Sequence, residues 1–251
     1  VECGVQCLVE EGQVVGIEAL AWRGRQRRRG RLGRVELGEE RVQVVTGSDL
    51  VRGTDRVVEV GALGEVSGDD VVYLSGYSLA DEASRVALER LAGRLTKARA
   101  GCTALFDVSP MIGSVPMSSL EHLGALGPVW SLNEREAGLL ADRLELRVEA
   151  GDHAGVCEAL SGRLGTVLVR AGEQGSWFSD GGAARHTPST PVTPVDTNGA
   201  GDAHSGVLAA ALARGIDLTT ALRWANVAGA LTVTHFGPAT CPSEAEIRDL
   251  V

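Results

Sequence analysis

From residue 69 onward, apolar runs of strand length take turns with stretches of helical period, and that alternation leaves few architectures open. Residues 71–74 form a short apolar run closed by Ser75 and Gly76, and residues 83–98 then place Val86, Leu88, Leu91 and Leu95 at spacings that favour one helix face. Residues 103–108 read as a strand ending in Asp107 and Pro110, and residues 128–132 as another that runs into a helix starting near Asn133. Residues 165–170 (GTVLVR) are a third β-branched run, preceded by a helix over about 152–163. The expectation is an α/β fold: a mostly parallel, doubly wound sheet with helices on both faces and ligands beyond the carboxyl ends of the strands.

The last third is the clearest. Residues 200–214 are an Ala/Leu-rich helix with Asp202 in its first turn, Arg214 in its last and Gly215 as a stop. A second helix starts after Asp217, a plausible N-cap, and runs through Leu222, Ala225 and Leu231 to about Thr234. Residues 1–68 are much less legible. Residues 42–45 and 57–60 have strand composition, whereas the Gly/Arg-rich stretch over 22–40 has no clean period and is given no structure.

Charge and composition exclude some functions. A formal charge of −9 and a pI near 5.1 set a long-range field that repels nucleic acid and anionic lipid. The seven arginines of residues 23–34 are the local exception, and a solvated loop accounts for them more simply than an RNA site. With aromatics at 4%, a base-stacking surface is not expected. The five cysteines are odd in number and scattered without C-x-x-C, which fits reduced thiols rather than zinc or a disulfide framework. No stretch approaches a transmembrane length, and the first residues lack the order of a signal peptide, so a soluble cytoplasmic protein is expected.

The strongest local signal is Asp196-Thr-Asn-Gly-Ala-Gly-Asp202, between the Pro-punctuated TPSTPVTP and a helix. Small residues Gly199, Ala200 and Gly201 at a helix start leave backbone N–H groups and the helix dipole open to an anion such as a phosphoryl group. A carboxylate at Asp202 repels phosphate, but it is well placed to take a proton from an attacking hydroxyl. An EF-hand reading fails because the fifth position is Ala200 and the twelfth is Val207. A plain Asn-Gly turn with an incidental helix cap is the bland alternative. Neither G-x-x-x-x-G-K-[ST] nor G-x-G-x-x-G occurs, which argues against a Walker loop and a dinucleotide-dependent oxidoreductase.

The heptad and its helix resemble the C-terminal motif of the ribokinase-like (PfkB) carbohydrate and nucleoside kinases. The resemblance covers about residues 69–251, with VYLSGYS (72–78), FDVSP (106–110), NERE (133–136), VRAGEQG (169–175) and GPAT (237–240) in the family's order. It implies that Asp202 is the catalytic base, that Gly199, Ala200 and Gly201 are the anion hole for the γ-phosphate, and that Asn133 and Glu136 order Mg²⁺ partly through water. Without the other motifs, Asn133 and Glu136 read equally well as a helix cap. Arg170 is then a candidate for a nucleotide phosphate, Gly172 and Gly175 permit close backbone approach to ATP, and Asn226 resembles residues bordering the adenine pocket. Taken alone, Arg170 is more often a surface charge, and Asn226 reads equally as a buried amide. Asp196, Thr197 and residues 237–240 resemble the segments that hold a monovalent cation, K⁺ in this reading. His204 is assigned to packing or substrate contact, and His122, His153, His186 and His235 to the surface.

The family's acceptor motifs, an Asp after the first strand and a Gly-Gly-x-x-x-N-x-A segment, are not found in residues 1–68. That part is expected to be a divergent or incomplete N-terminal portion with lid strands reduced or missing, ahead of an α/β core over 69–251. The implied function is an ATP-dependent phosphotransferase acting on an alcohol of a small sugar, sugar acid or nucleoside, as a carbohydrate kinase with homodimer formation open. The alternative is a catalytically weak homologue that binds nucleotide or sugar.

Overall fold

A computed structural model describes residues 70–80, 82–98, 101–237 and 240–251, together with the backbone of six short strands between residues 3 and 45. Those strands are β1 (Cys3–Val5), β2 (Val9–Glu10), β3 (Gln13–Val14), β4 (Leu20–Trp22), β5 (Arg34–Leu37) and β6 (Glu40–Val45). β1 pairs with β4, β2 with β3 and β5 with β6, all antiparallel. The strand expected at 42–45 lies within β6, and β4 and β5 fall in or beside the stretch left without structure. Residues 57–60 and the expected boundary at residue 68 lie outside the described residues.

The chain divides into two compact units. One comprises Val45–Arg170 and Trp177–His186, the other Val1–Val44, Ala171–Ser176 and Thr187–Val251. The first is built on four parallel strands, β7 (Val71–Ser75), β8 (Thr103–Asp107), β9 (Val129–Asn133) and β10 (Val167–Arg170), lying side by side in chain order. Leu74, Leu105, Phe106, Trp130, Leu132 and Leu168 on these strands are fully buried. Burial of successive residues, rather than alternate ones, means that both faces of the sheet are covered. Each such side chain stabilises by roughly 1.5–3 kcal/mol relative to exposure. Phe106 and Trp130 meet edge to face with ring centroids 5.1 Å apart.

The helices fall where the apolar period places them. α1 (Glu82–Ala98) buries Ala87, Leu88, Leu91, Ala92 and Leu95 and packs on α2 (Met117–Gly124). α3 (Glu134–Arg143) packs on α4 (His153–Leu164), which Asp152 caps by accepting the Gly155 N–H at 2.9 Å. β11 (Ser176–Ser179) and β12 (Arg185–Thr187) extend the sheet beyond β10.

In the second unit, α5 (Ala200–Ala213) starts at Gly199 and stops at Arg214, followed by Gly215 with φ 69°. α6 (Leu218–Thr232) is capped by the Asp217 carboxylate, which accepts the Thr220 N–H at 3.1 Å. The two helices pack closely: a methyl on Gly229 would lie 3.4 Å from the Ala200 carbonyl oxygen. α7 (Glu244–Arg248) is tied down by Glu244, which pairs with Arg214 at 3.0 Å and Arg248 at 2.7 Å, and Ile247 packs with Val207, Val227 and Ala228. Among the described residues, no helix is long and apolar enough to cross a membrane.

Candidate functional site

At the carboxyl ends of β8, β9 and β10, three charged side chains converge. The register sets Asp107 opposite Ser131, and Arg170 opposite Asn133. Arg170 Nη1 lies 3.2 Å from Asp107 Oδ2, Nη2 lies 3.3 Å from Oδ1, and Nη2 is 3.8 Å from Glu136 Oε2. Arg170 is thus a largely buried partner of two carboxylates and not the surface charge that a lone strand-end arginine suggests. Burial works against its charge, but the two carboxylates outweigh it and raise its pKa above the ordinary value.

Asn133 and Glu136 form a capping box at the start of α3. Asn133 Oδ1 accepts the Glu136 N–H at 2.9 Å, and Glu136 Oε2 accepts the Asn133 N–H at 2.8 Å. Burial raises the Glu136 pKa, while the Asn133 N–H and Arg170 oppose that rise. The helix-cap reading of this pair is therefore realised, and it is compatible with a further role. Among the described residues, Glu136 Oε1 carries no hydrogen bond and no group of three or more His, Cys, Asp or Glu converges as a metal cage.

The heptad lies in the other unit. Gly199 adopts the left-handed conformation, φ 80° and ψ −6°, and no side chain caps the start of α5. Asp202 is in the first turn, half-buried, next to the exposed Gly201. Asp196 Oδ1 accepts the Asn198 N–H at 3.0 Å and Oδ2 the Gly237 N–H at 2.9 Å, while its own N–H donates to Val233 O at 3.2 Å. Those backbone donors hold the Asp196 carboxyl below its ordinary pKa. Thr197 is exposed beside it, and residues 238–239 of the neighbouring loop lie outside the described residues.

The remaining expected residues have definite places. Gly172 has φ 52° and Gly175 φ 87°, and a methyl on Gly175 would stand 2.2 Å from the Thr187 carbonyl oxygen. Asn226 is buried: Nδ2 donates to Thr187 O at 2.9 Å and Pro188 O at 3.2 Å, and Oδ1 lies 3.1 Å from His204 Nε2. His204, expected to serve packing or substrate contact, is buried between α5 and α6. His153, by contrast, is not at the surface: it is 8% exposed, 3.7 Å from Glu134, and its ring lies 4.8 Å from that of Trp177. It occupies the first turn of α4, where the Trp177 ring covers it. Cys157, a buried free thiol, is pushed up to about 12 by burial, so it is inert. Asp107 is the member of this charged cluster that the sequence did not single out. Read as a strand end before a proline, it gives no sign of a partner 63 residues away.

Residues 55–245 match the pfkB family carbohydrate kinase model, and the chain belongs to that family. It is 30% identical over 182 residues to the uncharacterised sugar kinase YegV of Escherichia coli K12, covering 72% of this chain and 54% of YegV. It is 36% identical over 134 residues to the ribokinase of Bacillus subtilis 168, covering 53% of this chain and 41% of the ribokinase. The chain thus spans about half the length of these relatives. Among solved structures, aminoimidazole riboside kinase of Salmonella enterica, complexed with aminoimidazole riboside and an ATP analogue, superposes with a TM-score of 0.61. It is 25% identical, with 76% of this chain and 66% of that chain covered. Fructokinase of Vibrio cholerae O395, with fructose, ADP and calcium bound, gives 0.63 at 20% identity, covering 79% and 66%. The fold is ribokinase-like.

Proposed function

We propose that this chain transfers the γ-phosphate of ATP to an alcohol group of a small sugar, sugar acid or nucleoside. The observation that carries the reading is the start of α5: a left-handed glycine opens a helix that no side chain caps, with Asp202 in its first turn. A helix start of this kind attracts an anion through its N–H groups and dipole, so Gly199, Ala200 and Gly201 would receive the transferring phosphoryl group. Asp202 then accepts the proton of the attacking hydroxyl, and catalysis otherwise rests on positioning and charge neutralisation.

Mg²⁺ and ATP fit the residues present. Magnesium favours oxygen ligands and keeps several waters and the substrate phosphates as partners, so a site lacking a dedicated cage of side chains suits it. Asn133 and Glu136 would hold it, partly through water, and the ion would neutralise charge on the polyphosphate. Arg170 would meet a phosphate oxygen; Gly172, where a methyl would meet nothing within 4 Å, would let ATP approach the backbone after β10, and Gly175 would hold that turn close against Thr187. Asn226, with its amide engaged by Thr187, Pro188 and His204, would shape the wall of the adenine pocket rather than bond the base directly. Asp196 and Thr197 are the candidates for K⁺. The relatives' own ligands, riboside and fructose with adenine nucleotides, support a sugar-like acceptor.

The test is ATP consumption with Mg²⁺ and K⁺ against a panel of sugars, sugar acids and nucleosides, run in parallel on Asp202→Asn. The expected result is an acceptor whose turnover falls on the order of 10²-fold or more in the variant while ATP affinity changes little. Turnover that survives the substitution removes Asp202 as base.

A further inference from the structure

We infer that Asp107 is a positioning residue for the nucleotide site, fixing the plane and place of the Arg170 guanidinium beside Glu136 for contact with the polyphosphate and its cation. The inference rests on the proposed roles of Arg170 and Glu136. Asp107 ends β8 and Arg170 ends β10, with β9 between them, so the pair reaches across β9 at the carboxyl ends of the strands. Its two contacts, 3.2 and 3.3 Å, are those of a carboxylate facing both arms of the arginine fork, and such a pair fixes the plane of the guanidinium as well as its place. The contact to Glu136 is looser, at 3.8 Å. Without Asp107, the largely buried cation would be left with the Glu136 carboxylate 3.8 Å away. The guanidinium would then close on it and take both groups out of use.

The backbone after Asp107 is held firmly enough for this task. The Val108 N–H donates to Ser131 O at 3.0 Å, and Gly76 lies so near that a methyl there would stand 1.9 Å from the Val108 carbonyl oxygen. Ser109, 2% exposed, has φ 66° and ψ 158°, a conformation that L residues rarely adopt, and its Oγ accepts the Met111 N–H at 3.4 Å. Strain of this kind persists where the surroundings over-determine it, and it gathers at sites that must be pre-formed. A buried ion pair is weak support for stability by itself, because desolvation offsets the attraction. Precise placement of the arginine is the better account of the arrangement.

The experiment is calorimetric titration with MgATP of wild type, Asp107→Asn, Arg170→Lys and the double variant, with a melting curve for each. We expect Asp107→Asn to weaken MgATP binding about tenfold and raise the Mg²⁺ concentration needed for half-saturation, with the double variant no weaker than Arg170→Lys. Asp107→Glu keeps the charge but displaces it, and should weaken binding severalfold; it serves if Asp107→Asn does not fold. Wild-type affinity in a folded Asp107 variant, or effects of the two single substitutions that multiply in the double, overturns the inference while leaving the kinase reading in place. A wild-type protein that binds no MgATP removes the kinase reading, and this inference with it.

Discussion

A methyl group added at Gly175 would meet the carbonyl oxygen of Thr187 at 2.2 Å, on a backbone whose φ of 87° already disfavours a side chain. Gly175→Ala should therefore destabilise by about 2–4 kcal/mol in denaturant unfolding, through strain and a forced shift of the facing backbone. Asp196 offers a pH-dependent counterpart. Its carboxylate is stabilised in the folded chain by the Asn198 and Gly237 N–H groups, so its contribution is complete above the unfolded value, near 3.9, and is lost as pH falls through the lowered folded value. The amide NMR signals of Asn198 and Gly237 should titrate together with a midpoint below that of an ordinary Asp. A midpoint at the ordinary value would mean that the two bonds are absent in solution.

At the scale of elements, Asn226 joins α6 to α5 through His204, and to the last residue of β12, Thr187, and the following Pro188. Asn226→Ala leaves buried polar groups without their partner and should cost about 2–3 kcal/mol, read as a fall in the unfolding midpoint with an unchanged slope. The elements that could be read from sequence are those whose burial imposes a pattern. β7 to β10 appear as apolar runs because both faces of a parallel sheet are covered, and α1, α5 and α6 carry apolar or small residues at helical spacing. α2 (MSSLEHLG) is too short for a period to show, and in β11 and β12 (SWFS and RHT) Ser, Arg and His mask the strand. The candidate site was legible where its chemistry is local: the heptad is contiguous, and Asn133 and Glu136 are one helical turn apart. Asp107 was not, because strand pairing brings it to Arg170 and sequence spacing says nothing about that. Likewise, the ring covering His153 belongs to Trp177, on another element.

For the whole molecule, the proposed activity implies that the folded chain is linked to its nucleotide. MgATP at a hundredfold excess over its dissociation constant should add about 2.7 kcal/mol to stability, visible as a rise in melting temperature that ATP without magnesium reproduces only weakly. An unmoved melting curve at saturating MgATP would count against nucleotide binding by the native state. The edge-to-face pair of Phe106 and Trp130 supplies a way to watch one unit alone. Of the chain's four tryptophans, Trp130 is fully buried on β9 while Trp177 and Trp224 are only partly covered. Its emission should therefore lie toward the blue and resist quenching by iodide. In a variant whose other three tryptophans are replaced by phenylalanine, it would make an intrinsic optical label for the interior of the parallel sheet, with no dye attached.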